Sequence, residues 1–381
     1  MKIGIEGQRL FRKKKHGMDM VALELIKNLQ AIDTENEYVI FVKPDEDSTC
    51  LSETDNFKIV ELHGGPYPIW EQIALPRAAS SFGCDVLHCT SNTAPIFCKV
   101  PLITIIHDII YLESVSIFKK GGTLYQKFGN MYRRWVVPLV ARNSKRVSTV
   151  SEFERERIKN FMGLGNNLVA VYNGVGEHFM KITDAALLAQ TKQKYKLPDN
   201  FFFFLGNTDP KKNTPNVLKA FANFRASSAV NYKLLMLDYD ENALMQVLTD
   251  IGHPEIRKEI VMAGYVPNSE MPAIINQCTV FLYPSLRESF GIPILEGMAC
   301  GVPVITSNTS SMPEIAGDAA LLVDPTQTEQ IVEAIQKILS DPTLKNELCE
   351  KGVAQAQKFS WKAMAEKYLA LYKEVYNETK S

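Results

Sequence analysis

The sequence predicts an α/β fold made of two Rossmann-like domains, and three observations carry that expectation. A chain of 381 residues is longer than one ordinary domain and has material for two cores. Leu102 to Ile106 is an unbroken apolar run that stops at His107-Asp108, the pattern of a parallel strand covered on both faces. The strand–turn–helix order then restarts at Phe201 to Leu205, an almost purely aromatic strand. It runs into Gly206-Asn-Thr-Asp-Pro-Lys-Lys-Asn213 and a helix with Val217, Ala220, Phe221 and Phe224 at i, i+3, i+4 and i+7.

Composition narrows the class. Hydrophobic content of 46% and charged content of 22% are ordinary for a soluble chain, and a net charge of −1 argues against nucleic acid as a partner. No apolar run approaches a membrane span, and Met1-Lys-Ile-Gly-Ile reads as a strand rather than a signal peptide, so a cytoplasmic protein is expected. The seven cysteines lack paired C-x-x-C spacing or a zinc pattern and read as buried free thiols.

In chain order, Lys2 to Gly7 is a strand, followed by a basic loop with Arg12, Lys13, Lys14, Lys15 and His16 before Gly17. Met18 to Leu29 has helical spacing; Tyr38 to Val42, Phe57 to Leu62 and Asp85 to His88 read as strands, and Trp70 to Phe82 as a helix. Ligands of open α/β sheets bind outside the carboxyl ends of strands, which draws attention to His107 and Asp108; His88, at a similar strand end, reads as a structural histidine. Lys119 to Lys159 is rich in Lys and Arg, with Phe118, Tyr125, Phe128, Tyr132 and Trp135 interleaved. That stretch reads either as a solvated basic face over the sheet or as a peripheral contact with the inner membrane surface or a lipid-diphosphate acceptor. Arg146 to Val150 and Leu168 to Tyr172 are strands around a capping box, Ser151-x-x-Glu154. Met180 to Asn200 is polar and reads as the interdomain connection. Lys233 to Leu237 and Glu259 to Gly264 are strands, Thr326-x-x-Glu329 caps a helix, Pro342 opens another, and Trp361 to Tyr376 is a last amphipathic helix.

The chemistry concentrates between Tyr283 and Asp324. A strand, Thr279 to Tyr283, ends at a turn carrying Glu288 and Gly291, and Pro293 sits where a first helical turn tolerates proline. Such a turn points backbone N–H groups and the positive helix end at an anion, typically a phosphate. Glu288 and Glu296 flank that position. Carboxylates repel a diphosphate unless they face hydroxyls, so the combination points to a sugar nucleotide, with Glu296 able to accept from a vicinal diol. Lys211 and Lys212, in a second glycine turn before a helix, add positive charge for the diphosphate.

The Glu-x7-Glu spacing of Glu288 and Glu296, with Glu288-Ser-Phe-Gly, Gly301-Val-Pro-Val-Ile-Thr, Ser311-Met-Pro-Glu-Ile and Asp324-Pro325, resembles the retaining glycosyltransferases of family 4. These are group 1 transferases with the GT-B fold. The resemblance implies two facing Rossmann-like domains: an acceptor domain over residues 1–180, joined by a crossing helix at 361–381, and a nucleotide-sugar donor domain over 181–360. It implies donor contacts from Gly17, Asn207, Lys211, Lys212, Tyr265, Val266, Glu288, Ser289, Phe290, Gly291 and Glu296. Arg12, His107 and Asp108 fall on the acceptor side, and His107, Glu288 and Lys212 are the expected catalytic set. The family's loop arginine is absent, Asn207 standing in its place, so charge on the leaving group falls to Lys212, helped by Lys211 or Arg287. The chain reads as lacking an Asp-x-Asp metal motif, so no cofactor or required divalent cation is expected.

Trp70-Glu71-Gln72 with Asp85-Val-Leu-His88 and His107-Asp108 resembles the subset acting in surface polysaccharide and O-antigen assembly. The expected activity is therefore transfer of a hexose, mannose or similar, from a GDP- or UDP-linked donor to a glycan or lipid-linked acceptor with retention. Two alternatives stand beside it: a weak or inactive nucleotide-sugar binding protein, marked by Asn207, and a GT-B nucleotide-sugar epimerase.

Overall fold

The computed structural model describes residues 1–113 and 124–381. The chain forms two compact units, Met1–Gly174 with Trp361–Ser381, and Val175–Ser360. Both are built around parallel sheets, as unbroken apolar strand runs require.

In the first unit the strands are β1 (Lys2–Gly7), β2 (Glu37–Val42), β3 (Phe57–Glu61), β4 (Val86–Cys89), β5 (Leu102–Ile105), β6 (Arg146–Thr149) and β7 (Leu168–Ala170). Their order is β3-β2-β1-β4-β5-β6-β7, all parallel, so the order reverses direction between β1 and β4. Ile3, Ile5, Ile40, Leu87 and Ile103 are fully buried. The helix Gly17–Ile32 turns Val21, Leu25, Ile26 and Leu29 inward. The Trp361–Lys380 helix packs beside it: Tyr372 meets His88 Nδ1 at 2.7 Å and Tyr368 meets Ser148 Oγ at 2.9 Å. Deep burial pushes His88 down to about 3, which keeps its ring neutral. The structural reading of that histidine fits its surroundings.

The second unit holds β8 (Phe201–Phe204), β9 (Lys233–Met236), β10 (Ile260–Met262), β11 (Val280–Tyr283), β12 (Val304–Ser307) and β13 (Leu321–Val323). The order β10-β9-β8-β11-β12-β13 reverses between β8 and β11. Phe202, Phe204 and the helix residues Val217, Ala220, Phe221 and Phe224 form its core, as their spacing predicts.

Local expectations needed correction in three places. Thr326 does not cap a helix. Its N–H and hydroxyl both bond Asp324 Oδ1 in a turn, and the helix starts two residues later, at Thr328. The helix around Trp70 begins earlier, at Tyr67, and widens to a π turn over Trp70–Ala74 before Leu75–Ser81. Met180 to Asn200 is not a bare connection: Ala185–Tyr195 is a helix capped by Asp184, and it packs on Met271–Ile275 within the second unit. Of the basic stretch, Phe118, Lys119 and Lys120 lie outside the described residues, as do the side chains of Tyr125 and Lys127.

Candidate active site

Open parallel sheets bind ligands outside the carboxyl ends of their strands, where the order reverses. In the second unit that place lies between β8 and β11, and the two loops found there are those carrying Lys212 and Glu288. After β8, Asn207 shapes the turn. Its Oδ1 accepts from the Asp209 N–H at 2.8 Å and its carbonyl from Thr214 Oγ1 at 2.9 Å. Asn213, in the left-handed region at φ 61°, donates through Nδ2 to the carbonyls of Pro284 at 2.9 Å and Pro325 at 2.7 Å. The Leu286 N–H adds a bond to the Lys211 carbonyl at 2.7 Å. Three loops are thereby strapped together through one buried amide.

This strapping sets Lys212. Its Nζ donates to Glu288 Oε1 at 2.7 Å and to the Tyr283 hydroxyl at 2.8 Å, and it lies 5.0 Å from the Tyr283 ring centroid. Glu288 is 9% exposed, so its charge is met mainly by that ammonium. The backbone is held as well. The Glu288 N–H bonds Ser310 Oγ at 3.1 Å, and Ser311 Oγ donates to the carbonyls of Glu288 and Phe290 at 3.0 and 2.9 Å. Gly291 has φ 102°, where an L side chain is strained, and an added Cβ would stand 3.0 Å from Ile294 Cδ1. The Ile292–Ala299 helix starts there with Pro293 in its first turn. Phe290 is buried edge-to-face on Phe359, 5.9 Å between centroids. Glu296 is partly buried in the same helix, and burial pushes its carboxyl up to about 7. Tyr265 presents 78% of its surface to solvent beside Gly264 at φ 72°, whereas Val266 is buried.

In the first unit the corresponding place lies between β1 and β4. Glu6, 2% exposed, accepts from the Gln8 N–H at 2.9 Å and from the Thr90 N–H and hydroxyl at 3.2 and 3.0 Å, joining the two strand ends. His107 is fixed from both sides: its N–H bonds Asn92 Oδ1 at 2.6 Å and its Nε2 bonds the Thr90 carbonyl at 3.0 Å. A carbonyl only accepts, so Nε2 carries the proton and Nδ1 is the acceptor. Burial lowers the ring's pKa, which keeps it neutral. Asp108 Oδ1 accepts the Ile110 N–H at 3.2 Å. Arg12 gives its carbonyl to Lys15, which pairs with Asp47. Gly17 opens its helix with open space where a Cβ would stand, so the surrounding protein sets no packing demand for glycine there.

Several residues at these two places carry no individual signal in the sequence. Tyr283, Asn213 and Ser310 set the Lys212–Glu288 pair, and only Asn213, directly before Thr-Pro, sits in a recognisable turn context. Glu71 is another. It is 1% exposed and takes hydrogen bonds from the hydroxyls of Tyr67, Thr93 and Tyr132 and from Gln72 Nε2. Contrary to the sequence reading, the chain does contain two Asp-x-Asp triplets, Asp45-Glu-Asp47 and Asp238-Tyr-Asp240. Asp47 pairs with Lys15 and Asp240 caps the Glu241–Asp250 helix. Among the described residues no group of three His, Cys, Asp or Glu side chains is placed to hold a metal ion.

Two families match this chain. The glycosyl transferases group 1 family matches residues 189–359, and glycosyltransferase family 4 matches residues 16–178. Each of the two family models matches one half of the chain, and both describe glycosyltransferases. The chain is 32% identical to O-antigen chain mannosyltransferase B of Escherichia coli over 235 residues, 61% of each protein. It is 26% identical over 277 residues to O-antigen chain mannosyltransferase RfbU of Salmonella typhimurium, 71% of this chain and 69% of that one. It matches only 27% of the length of a serotype-specific mannosyltransferase WbdA of Escherichia coli. Among solved structures, Anabaena HepE in complex with UDP-glucose superposes with a TM-score of 0.76 at 17% identity, over 98% of this chain and 100% of that one. The sucrose-phosphate synthase of Thermosynechococcus elongatus superposes with a TM-score of 0.76 at 16% identity, over 99% of each. The architecture is α/β and of the GT-B type. No helix among the described residues is long and apolar enough to cross a membrane.

Proposed function

We propose that this chain is a hexosyltransferase that moves mannose or a similar hexose from a nucleotide-diphosphate sugar to a glycan or lipid-linked acceptor, with retention of configuration. The observation that carries the reading is Lys212, held between Glu288 at 2.7 Å and Tyr283 at 2.8 Å beside the start of the Ile292–Ala299 helix, with Glu296 one turn inside. Breaking an anomeric bond loads charge onto the diphosphate. A fixed ammonium and helix-start amides stabilise that charge in a site needing no reorganisation. On this reading Asn207 builds the loop that places Lys212 rather than contacting charge itself, and no divalent cation is required.

The carboxylates then take hydroxyls. When a diphosphate draws the Lys212 charge, Glu288 is freed to accept from the hexose, and ionised Glu296 accepts from the ribose diol. His107, neutral and with Nδ1 as its acceptor, is assigned to a sugar hydroxyl on the acceptor-side unit. The mannosyl preference rests on the O-antigen mannosyltransferases that the chain resembles, and the UDP complexes of HepE support a nucleotide sugar as donor.

The test is a thermal-shift screen of the wild type and Glu296→Ala against UDP, GDP, ADP and dTDP, with and without matching sugars. A ligand at a hundred times its dissociation constant adds about 2.7 kcal/mol to the folded state. One nucleotide stabilising the wild type but not the variant is the expected result. No shift with any nucleotide overturns the donor site. Donor binding without turnover on a broad acceptor panel favours the non-catalytic alternative.

A further inference from the structure

The basic, aromatic stretch singled out in the sequence does not behave as one surface. Arg155 pairs with Glu152 and Glu156, Lys159 with Glu156, and Arg146 with Glu374 and Glu378, so its later part is a compensated, solvated face. The helix Leu124–Asn143 differs. Val136, Val137, Val140 and Ala141 are buried, while Phe128, Met131 and Trp135, at i, i+3 and i+7, are 53%, 61% and 65% exposed.

Two other segments extend this apolar face. Gln72 Nε2 donates to the Tyr132 hydroxyl at 2.8 Å and to the Ala94 carbonyl at 2.9 Å, and Gln72 Oε1 accepts the Ile96 N–H at 2.9 Å. That one side chain ties the helix to Trp70–Ala74 and to the loop before β5. The tied segments expose Ile69, Ile73 and Phe97, the last at 87%. Ile73 and Phe97 line one shallow groove with Arg77 and Lys99. Among the described residues, six of the fifteen large exposed hydrophobic side chains therefore fall on three segments fastened to each other. An apolar patch of this kind on a water-facing surface marks a contact.

On the described residues of these segments the exposed charges have one sign. Arg77, Lys99, Arg133, Arg134 and Arg142 lie on the same segments, and the single carboxylate there, Glu71, is buried and saturated with donors. Aromatic and aliphatic side chains framed by Arg and Lys, with no exposed acid among the described residues of these three segments, match the interface of an anionic bilayer: rings enter the headgroup boundary and guanidinium groups meet phosphates. We propose that Phe128, Met131 and Trp135 together with Ile69, Ile73 and Phe97 form a docking surface for an anionic lipid bilayer. The proposal goes beyond the donor site and does not depend on it.

Trp70 is fully buried and Trp361 is 9% exposed, so Trp135 is the tryptophan whose fluorescence reports on this face. The full chain is mixed with vesicles of equal parts phosphatidylglycerol and phosphatidylcholine, and with vesicles of phosphatidylcholine alone. Co-sedimentation with the anionic vesicles and a blue shift of emission are expected, with binding to the neutral vesicles weaker. Trp135→Ser and Phe97→Ser should each weaken partition into the anionic vesicles by about tenfold, with an unchanged melting temperature. Arg155→Gln, on the compensated face, should leave it intact. Absence of co-sedimentation overturns the proposal, as does binding that ignores Trp135→Ser and Phe97→Ser. A concentration-dependent dimer in light scattering that Trp135→Ser dissolves would assign the face to a second copy of the chain instead. A failed nucleotide screen beside intact vesicle binding would remove the donor reading and leave this one standing.

Discussion

Glu296→Gln separates what the site does for its ligand from what it costs the fold. In the free protein burial holds the Glu296 carboxyl at about 7 instead of 4.5. A folded-state value raised above the unfolded one means that the folded protein retains a proton the unfolded chain gives up. The contribution to stability is therefore fully present below about pH 4.5 and is lost as pH rises toward about 7. The gap corresponds to about 3 kcal/mol. Glu296 keeps partial contact with water, which screens the penalty and reduces the expected effect to about 1–2 kcal/mol. Glutamine has the same shape and no charge to desolvate. The unfolding free energy of the variant, taken from urea titrations, should match wild type at about pH 4.5 and exceed it by that amount at about pH 8. Nucleotide binding should run the other way. The ribose diol needs the ionised carboxylate, so nucleotide-induced stabilisation of the wild type should grow between about pH 6 and 8 and be small and flat in the variant. A glutamine variant no more stable than wild type at the higher pH, or equally stabilised at both, would refute the desolvation argument. Undiminished nucleotide binding by that variant would refute the diol assignment.

Lys212→Met keeps the stem and removes the charge. Nucleoside diphosphate binding measured by calorimetry should weaken by about tenfold or more, while nucleoside binding stays unchanged, and Glu288 left without its partner should cost about 1–3 kcal/mol. Equal weakening of both ligands would sink the diphosphate role. Gly291→Ala forces a methyl group into a backbone at φ 102° and against Ile294, at a cost of about 1–3 kcal/mol. An unchanged melting temperature would show that the turn relaxes. His88 has the opposite linkage sign from Glu296, its folded value of about 3 lying below 6.5. Its contribution is present above about pH 6.5 and is lost as pH falls toward 3, so His88→Gln should flatten the acid side of the wild-type stability profile. Parallel profiles for the two proteins would exclude His88 as the acid-sensitive group.

Much of the fold was legible because its strands are buried on both faces and announce themselves as apolar runs. Leu102 to Ile106 and Phe201 to Leu205 needed no partner to be recognised, and the helix after β8 repeats at the period of a buried stripe. Glu288, Glu296 and Lys212 were legible for a different reason: turn chemistry and the spacing of the two glutamates lie within single short segments. Where the expectation failed, a local pattern met a competing interaction. Thr326 resembles a cap but is drawn into the Asp324 turn.

The sequence by itself determined the strands, the helix faces, the glycine turn at Gly291 and the residue types of the site, because each depends on neighbours a few positions away. Tertiary structure alone decided which of these meet. Asn213 binds Pro284 and Pro325, 71 and 112 positions on; Glu71 gathers Thr93 and Tyr132; Gln72 fastens three segments under one exposed apolar face. Such contacts follow from the order of strands in a sheet and from buried polar groups seeking partners. Neither is written in the spacing of any one segment.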